Sequence, residues 1–382
     1  MSAPAFGRHE ATLAGLRRRS RIRDLVPHQG ADFTSNDYLG LANAPRMKAA
    51  ISAALEAGVP AGAGGSRLLR GNHWMHEALE TEAAAFFATE RVLYFGSGFA
   101  ANVALFSCLP QRGDLIVYDT LIHASARDGI SASKAETLAV PHNDVEAFDK
   151  AIGIWRKRGG RRCVWIAVES LYSMDGDRAP LFDLKELADR HGGLLVVDEA
   201  HATGVFGPGG RGLASDLETA GNVLVLHTCG KALGMSGALL GLPGVLADYM
   251  VNRARSFIYS TAPSPLMAAG VREALHMIED EPERRSRLTA LKDFAGDRLR
   301  SKLGLNSGSG SQILPIMIGD NAAALRIAER MRSEGFDVRA IRPPTVPEGT
   351  ARLRVSITLN IDEGQIADMI ECLATIMDGE KA

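Results

Sequence analysis

One lysine of the sequence stands among small residues at the end of an apolar run. Lys231 lies in the segment Thr228–Gly234 (TCGKALG), and the residues 235–238 that follow are also mostly small. A lysine in a crowded apolar setting has a lowered pKa, so its free amine can attack a carbonyl group and form a Schiff base. A solvated surface position is the usual state of a lysine, and these neighbours favour the reactive alternative.

The letters DEAH, residues 198–201, end another apolar run. In helicases this pattern holds Mg²⁺ and a water, but it works together with a G-x-x-x-x-G-K-[ST] phosphate loop. The one Gly-Lys pair of this chain, Gly230-Lys231, is followed by Ala232, so the helicase interpretation fails. A carboxylate at Asp198 can instead keep the ring nitrogen of a pyridine cofactor protonated, which makes the ring an electron sink. A helix cap or a structural hydrogen bond is the alternative for Asp198 alone.

A glycine-rich loop, Gly96–Ala101 (GSGFAA), follows a predicted strand and opens a predicted helix. Bare glycine backbone and the free N–H groups of a helix N-terminus bind anions, so the loop predicts a phosphate site. The loop also fits the pattern G-x-G-x-x-A, and Asp119 ends the next strand, as in dinucleotide-binding units. The kind of phosphate therefore stays open. His123 follows that strand, and its flat ring is either structural or placed to stack on a planar cofactor.

Short, continuously apolar runs alternate with amphipathic segments in the middle of the chain. The runs span residues 91–95, 114–119, 162–168, 193–199 and 222–228, and helices are predicted over 98–109, 144–157 and 181–191. Strands buried on both faces and separated by helices are typical of an α/β fold with a mostly parallel sheet covered by helices. Ligands of such sheets bind beyond the carboxyl ends of the strands, where the candidate residues lie.

The pattern changes after about residue 242. Helices are predicted over 243–257, 264–280, 283–302, 321–334 and 362–377, and strands over 312–318, near 336–341 and over 351–358. This mixture predicts a smaller C-terminal α+β domain. We expect an N-terminal segment at residues 1–40, a large cofactor-binding domain at 41–270 and a small domain at 271–382.

The overall composition narrows the class of protein. The chain has 382 residues, and 43 Lys and Arg balance 45 Asp and Glu, for a net charge of −2. That balance excludes a nucleic-acid-binding protein of overall positive charge. No apolar run approaches the length of a membrane span, and the four cysteines form no metal-binding pattern. We expect a cytoplasmic protein with reduced thiols and with no metal, nucleic-acid or membrane partner.

Further short motifs place these candidates in an ordered set. The motifs lie at residues 35–41, 64–68, 97–102, 173–177, 198–201, 228–231, 259–261 and 352–354. In this order they resemble the motifs of the α-oxoamine synthases, which belong to the aspartate-aminotransferase-like, fold type I, pyridoxal 5'-phosphate enzymes. The resemblance covers most of the chain, and an ordered set of this size is far more specific than any single motif.

The resemblance implies roles for residues of this chain. Lys231 would bind pyridoxal phosphate covalently and then act as the base at the α-carbon of the substrate, with His123, Asp198 and His201 as the other catalytic residues. The cofactor contacts implied besides these are Gly98, Phe99, Ser173, Thr228 and, from a second subunit, Ser260 and Thr261. The substrate contacts implied are Arg17 on an acyl carboxylate, Arg354 on the amino-acid carboxylate, and Asn36, His123 and Thr345.

The resemblance also implies a reaction, the decarboxylative condensation of an amino acid with an acyl thioester by a homodimer with shared active sites. The branch that joins L-alanine to pimeloyl-CoA or a pimeloyl-carrier protein in biotin synthesis matches best, because DEAH and the segment Pro343–Pro347 agree with it. A branch that uses glycine or serine with a different acyl-CoA stays open. A nicotinamide-dependent dehydrogenase built on Gly96–Ala101 and Asp119 is the alternative from another class, and it gives Lys231 and Asp198 no role.

Overall fold

The structure, a computed structural model, describes residues 5–305 and 309–381. Its helices are α1 (Gly7–Arg18), α2 (Pro45–Glu56), α3 (Trp74–Phe87), α4 (Gly98–Cys108), α5 (Ala124–Ser131), α6 (Val145–Lys157), α7 (Leu181–Arg190), α8 (Gly244–Arg253), α9 (Arg255–Ile258), α10 (Pro265–Asp280), α11 (Glu283–Leu303), α12 (Asn321–Ser333) and α13 (Glu363–Lys381). Its strands are β1 (Ala31–Asp32), β2 (Arg91–Phe95), β3 (Leu115–Asp119), β4 (Glu136–Val140), β5 (Val164–Glu169), β6 (Leu194–Asp198), β7 (Val223–Thr228), β8 (Ala238–Leu242), β9 (Ile313–Gly319), β10 (Phe336–Asp337), β11 (Arg339–Ile341) and β12 (Ala351–Ser356). None of the helices described is long and apolar enough to cross a membrane.

Seven strands of the described chain form one sheet, in the order β2-β8-β7-β6-β5-β3-β4. The strands β7, β6, β5, β3 and β4 are parallel to one another, and β8 is antiparallel to both of its neighbours. The prediction of an α/β fold with a mostly parallel sheet is confirmed. The carboxyl ends of β3, β5, β6 and β7 therefore lie along one edge, and the residues that follow them are brought close together.

The central strands are buried on both faces, which explains their continuous apolar runs. Every residue of β5 and β7 is buried. Successive side chains alternate between two apolar clusters, so Ile116 of β3 belongs to one cluster while Leu115 and Val117 belong to the other. Helices cover both clusters, because α4 contributes to the first and α6 and α7 to the second. This packing fixes the strand ends from which the polar residues project.

Two strands of this sheet carry a weaker sequence signal. The edge strand β4 leaves Glu136, Thr137 and Ala139 exposed, so it has no continuous apolar run. The strand β8 begins directly after a glycine-containing turn, so the sequence pattern does not show where this strand starts. The helix predicted over 243–257 is also interrupted, because the extended backbone of Ala254 separates α8 from α9.

The chain divides into two compact units. One unit comprises residues 36–173 and 178–286 and contains the large sheet. The other comprises residues 1–35, 174–177 and 287–382, of which the structure describes the ranges given above, and it contains the antiparallel sheet β11-β12-β9 and the parallel pair β1-β10. Compactness alone does not define functional domains, so the predicted boundaries at residues 40 and 270 stay predictions.

Candidate active site

A cavity of about 170 Å³ lies in the larger unit, at the carboxyl edge of its sheet. The walls come from the ends of β5, β6 and β7, from the segments that follow β3, β6 and β7, and from the first turns of α4 and α5. The lining residues are Gly98, Phe99, Asn102, His123, Ser125, Glu169, Asp198, Ala200, His201, Leu226, Thr228 and Lys231. The four residues predicted to be catalytic, Lys231, His123, Asp198 and His201, are therefore brought to one cavity.

Lys231 is held at this cavity by a tight turn after β7. The N–H of Gly234 donates to the carbonyl of Lys231 at 2.8 Å, and the N–H of Met235 donates to that of Cys229 at 2.8 Å. The lysine amine lies 2.7 Å from Nε2 of His201, which makes the two side chains hydrogen-bonded neighbours. The pair joins a candidate nucleophile to a group that can accept its proton.

Asp198 ends β6 with both carboxylate oxygens engaged. Its Oδ2 accepts a 2.8 Å hydrogen bond from the side-chain amide of Asn102, and its Oδ1 accepts one of 3.0 Å from the N–H of Ala200. The same amide donates to Oγ of Ser125 at 3.0 Å. Asn102 lies one turn into α4 and ends the motif at residues 97–102, but it was not among the predicted site residues. These bonds fix the direction in which the Asp198 carboxylate faces the cavity.

A second buried carboxyl group lies beside Asp198. Glu169 of β5 is the direct register partner of Asp198 on β6, and it is only 2% exposed. Its Oε2 accepts a 3.1 Å hydrogen bond from the N–H of Ser173, and its Oε1 has no hydrogen-bond partner among the described residues. Burial, and next the charge of Asp198, raise the pKa of Glu169 to about 8. Glu169 was not among the predicted site residues, although an acidic residue directly after an apolar run could have indicated it.

The two carboxyl groups make this end of the cavity suited to a cation. Asp198 supplies a fixed carboxylate, and the unpaired oxygen of Glu169 is buried at the wall of the same cavity. A buried polar atom without a partner costs free energy, and a bound group that carries a proton or a positive charge would remove that cost. The protonated ring of pyridoxal phosphate has this character, so the residues present fit the cofactor that the sequence resemblance implies.

His123 forms the N-cap of α5 and lines the cavity with a neutral ring. Its Nδ1 accepts a hydrogen bond of 3.3 Å from the N–H of Ser125 and lies 2.7 Å from the Oγ of the same residue. Burial lowers the pKa of His123, and the charge of Lys231 acts in the same direction while Asp198 opposes it. A neutral imidazole with a partly buried face is suited to packing against a flat ring.

The start of α4 offers donors for an anion at the other end of the cavity. Ser97 caps the helix by accepting a 3.1 Å hydrogen bond from the N–H of Ala100. The first N–H groups of a helix have no partner within it, and those of Gly98 and Phe99 are at the cavity. A Cβ on Gly98 would meet Oγ1 of Thr228 at 3.4 Å, so a glycine here keeps the backbone close to β7.

The other cofactor residues predicted from the resemblance lie outside the cavity lining. Ser173 is 9% exposed, and its N–H donates to Glu169. Ser260 and Thr261 follow α9 and are exposed. Their predicted contacts in the site of a second subunit stay a prediction.

The smaller unit contains three residues predicted to bind substrate. Arg354 of β12 is 6% exposed and donates from Nη1 to Oγ of Ser356 at 2.7 Å. Oγ1 of Thr345 accepts a 3.1 Å hydrogen bond from Nη2 of Arg23. Arg17 is exposed in the last turn of α1. Thus the structure places Arg23, rather than Arg17, against Thr345.

A small basic cleft surrounds Thr345. It encloses about 60 Å³ and is lined by Arg21, Arg23, Ala340, Ile341, Arg342, Pro343 and Thr345. Arg23 donates to the Thr345 hydroxyl, while Arg21 pairs with Glu348 and Arg342 donates to backbone carbonyls. The guanidinium groups that line the cleft make it suited to a carboxylate or phosphate. Five of the seven residues at positions 17–23 are arginines, and this composition alone does not distinguish Arg23 from the predicted Arg17.

Comparison with known proteins identifies the family. The family model for aminotransferase class I and II matches residues 29–373. An 8-amino-7-oxononanoate synthase from Anaeromyxobacter dehalogenans (strain 2CP-1) is 42% identical over 376 residues, which cover 95% of this chain and 92% of that protein. The chain belongs to the 8-amino-7-oxononanoate synthase family. The predicted resemblance to this group of fold type I enzymes is confirmed.

Solved structures agree with this assignment. A serine palmitoyltransferase from S. paucimobilis, with a bound PLP–myriocin aldimine, superposes with a TM-score of 0.88 at 26% identity and covers 98% of each chain. The 8-amino-7-oxononanoate synthase from Francisella tularensis superposes with a TM-score of 0.76 at 28% identity, covering 92% of this chain and 99% of that chain. The fold type I architecture predicted for the chain is confirmed.

Because the chain belongs to the 8-amino-7-oxononanoate synthase family, the dehydrogenase alternative is not favoured. The contacts of Asp119 give a structural reason against that alternative. Asp119 is fully buried, with hydrogen bonds of 2.7 Å from the N–H of Leu121 and 2.8 Å from that of Asn143. Nδ1 of His142 lies 3.0 Å from its Oδ2. These contacts use both carboxylate oxygens to anchor the loops after β3 and β4, so Asp119 is not placed to bind a ribose.

Proposed function

We propose that this protein is a pyridoxal phosphate-dependent 8-amino-7-oxononanoate synthase. The reaction condenses L-alanine with a pimeloyl thioester and releases CO₂ and the free thiol carrier. One observation carries the proposal within the larger unit: the amine of Lys231 lies 2.7 Å from His201 in the cavity that also buries the Asp198 carboxylate. Membership in the family supports the choice of reaction.

The residues of the cavity divide the binding of the cofactor among them. Asp198 would hold the ring nitrogen, His123 would stack on the ring, and Ser173 and His201 would bind near the phenolic oxygen. Gly98, Phe99 and Thr228 would hold the phosphate. When bound, pyridoxal phosphate supplies an electron sink for negative charge at the α-carbon of the amino acid.

Lys231 has two functions in this proposal. Its amine would bind the cofactor covalently, and as a free amine it would remove the proton from the α-carbon of the amino acid. His201 lies 2.7 Å from the amine and would hold it in place for that transfer. The Asp198 carboxylate is held in one orientation because its two oxygens accept hydrogen bonds from Asn102 and Ala200.

Arginine side chains are proposed to bind the carboxylates of both substrates. Arg354 is proposed to pair with the carboxylate of alanine, since the planar guanidinium group matches a carboxylate with two parallel hydrogen bonds. Asn36 is proposed to bind the substrate as well. A pimeloyl chain ends in a second carboxylate, and the basic cleft at Thr345 supports a site for it. Arg17 stays a proposed contribution to that site, alongside Arg23.

A homodimer with shared active sites is part of the proposal. Several large apolar side chains of the larger unit are exposed, including Leu69 at 80%, Trp74 at 59% and Tyr259 at 74%. A partner subunit would cover such groups. Ser260 and Thr261 directly follow Tyr259, so they would then lie at the interface. The four free cysteines support a reducing, cytoplasmic location.

The proposal is tested by a panel of substrates. Purified enzyme loaded with pyridoxal phosphate is given L-alanine, glycine or L-serine together with pimeloyl-CoA, a pimeloyl-carrier protein or palmitoyl-CoA, and release of the free thiol is measured. We expect turnover with L-alanine and a pimeloyl donor. Turnover only with glycine or serine and another acyl donor would favour a different branch, and NAD binding by a colourless protein would favour a dehydrogenase.

A further inference from the structure

A chain of hydrogen bonds leads from the active-site lysine to a buried tyrosine. Nε2 of His201 lies 2.7 Å from the amine of Lys231, and Nδ1 of the same ring lies 2.7 Å from the phenolic oxygen of Tyr38. The phenol in turn donates to Oδ1 of Asn36 at 3.0 Å. Tyr38 is fully buried, and all four residues belong to the larger unit.

The direction of these bonds follows from the number of protons available. A phenol has one proton, and here Asn36 accepts it, so Tyr38 can only accept a hydrogen bond from His201. The proton of a neutral imidazole must therefore be on Nδ1. This tautomer leaves a lone pair on Nε2, which accepts a hydrogen bond from Lys231.

The loop that carries Tyr38 is held rigidly. Oδ1 of Asp37 accepts a 2.9 Å hydrogen bond from the N–H of Leu41, and Gly40 adopts a positive φ of 63° that closes the turn. The turn after Lys231 packs against this loop so closely that a Cβ on Gly234 would overlap the backbone of Leu41 and Ala42. The loop of the tyrosine and the loop of the lysine are thus fixed against each other.

We propose that Tyr38 is a positioning residue that fixes the tautomer of His201 and thereby keeps a hydrogen-bond acceptor facing Lys231. An acceptor at this position favours the ammonium form of the lysine. The opposite tautomer would present an N–H group to the amine and favour the neutral form. The tautomer assignment depends on the contacts alone, and its effect on cofactor capture by Lys231 rests on the proposed function.

The tautomer can be measured by ¹⁵N NMR of the full-length protein labelled with ¹⁵N-histidine, both cofactor-free and loaded with pyridoxal phosphate. His201 is assigned by the loss of its signals in His201→Gln. We expect the wild-type ring to carry its proton on Nδ1. Tyr38→Phe removes the acceptor oxygen, so part of the population should move to the Nε2–H form.

A second variant and a control make this measurement decisive. Asn36→Ala removes the acceptor of the phenolic proton, so Tyr38 can donate to Nδ1 and the ring should shift in the same direction. Tyr94→Phe deletes another buried hydroxyl group, which donates to the carbonyl of Ser236 at 2.8 Å, and it should leave His201 unchanged. A wild-type ring protonated on Nε2, or a ring that keeps its proton on Nδ1 in both variants, overturns the proposal.

The effect on Lys231 is measured by the rate at which cofactor-free enzyme captures added pyridoxal phosphate covalently, as a function of pH. Tyr38→Phe should lower the midpoint of this profile by about one pH unit, because the neutral amine is favoured. Tyr94→Phe should keep the wild-type midpoint. An unshifted midpoint with a normal adduct contradicts the positioning role. If the wild type forms no adduct at any pH, the proposed function fails, and the NMR result alone decides the role of Tyr38.

Discussion

The side-chain amide of Asn102 donates a hydrogen bond of 2.8 Å to the carboxylate of Asp198, and both residues line the same cavity. Asn102 is 2% exposed and belongs to α4, the helix whose first turn offers N–H groups at the other end of the cavity. One helix therefore positions both the N–H donors for an anion and the carboxylate that is proposed to hold the ring nitrogen. This relationship makes the orientation of Asp198 depend on the placement of α4.

Asp198→Asn should lower kcat by at least about 100-fold, because the neutral amide cannot keep the ring nitrogen protonated. Asn102→Ala should lower kcat less, by about tenfold, since it leaves the carboxylate in place but no longer orients it. Steady-state kinetics of the loaded enzymes measures both effects. Asp144→Ala is the matched control for a lost helix cap, because Asp144 caps α6 through a 2.9 Å bond to the N–H of Ala147. Near-normal kcat in Asp198→Asn would contradict the role of Asp198 as the partner of the ring nitrogen.

Lys231→Ala should abolish covalent attachment of the cofactor. The wild-type protein should be yellow with pyridoxal phosphate and should lose that absorption on treatment with borohydride, which reduces the Schiff base. Mass spectrometry of the digested protein should then find the modification on Lys231. Lys185→Ala removes a partly buried lysine that pairs with Asp189 outside the cavity lining, and this variant should form the same adduct as the wild type. Modification at another lysine would show that the nucleophile has been assigned to the wrong residue.

Glu169→Gln should stabilise the cofactor-free protein more at pH 9 than at pH 6. Burial raises the pKa of Glu169 to about 8, so the folded protein binds a proton that the unfolded chain releases at its ordinary pKa near 4.5. The preferential protonation of Glu169 in the folded protein contributes its full stabilising free energy below pH 4.5, the ordinary pKa. This contribution is lost as the pH rises from there through about 8, the pKa in the folded protein. The amide of the variant does not titrate, so this loss disappears. Urea unfolding at several pH values measures the difference in the free energy of unfolding.

Glu82→Gln is the control for this pH dependence. The hydrogen bond from Arg272 lowers the pKa of Glu82, so this carboxyl group is ionised between pH 6 and pH 9 in both the folded and unfolded states. The free-energy difference between Glu82→Gln and the wild type should therefore be the same across that range. If Glu169→Gln also gives a constant difference, Glu169 is ionised in the folded protein and the direction of its pKa shift is wrong.

The sequence predicts which residues gather at the carboxyl edge of the sheet, but it does not predict the hydrogen bonds between them and their partners. Lys231, Asp198 and His123 each come at or shortly after the end of a buried strand, and the carboxyl ends of parallel strands share one edge, so their proximity follows from the apolar runs. The partner of Asp198 in α4 and the partner of His201 at Tyr38 depend on tertiary packing between segments distant in sequence. A buried polar residue in a helix or turn has many structural uses, and its type alone does not select one.

Arg67 is a motif residue whose contacts could not be predicted from the sequence either. Its segment, residues 64–68, belongs to the ordered set of family motifs. In the structure Arg67 forms two hydrogen bonds of 2.8 and 2.9 Å to the carboxylate of Glu80 and stays outside the cavity lining. Glu80 also accepts a 2.8 Å hydrogen bond from the N–H of Tyr94 in β2. The motif residue thus joins its loop to α3 and the edge of the large sheet.

This pair leads to a prediction about stability. The side chains of Arg67 and Glu80 are 9% and 15% exposed, so Arg67→Met would leave a largely buried carboxylate without its charged partner. Removing one member of a buried ion pair costs about 3–5 kcal/mol, and urea unfolding should show a loss of that order. Arg91→Met, which breaks the exposed pair with Asp248 in the same unit, should cost at most about 1 kcal/mol. Equal losses in the two variants would contradict a stabilising role of the buried Arg67–Glu80 pair.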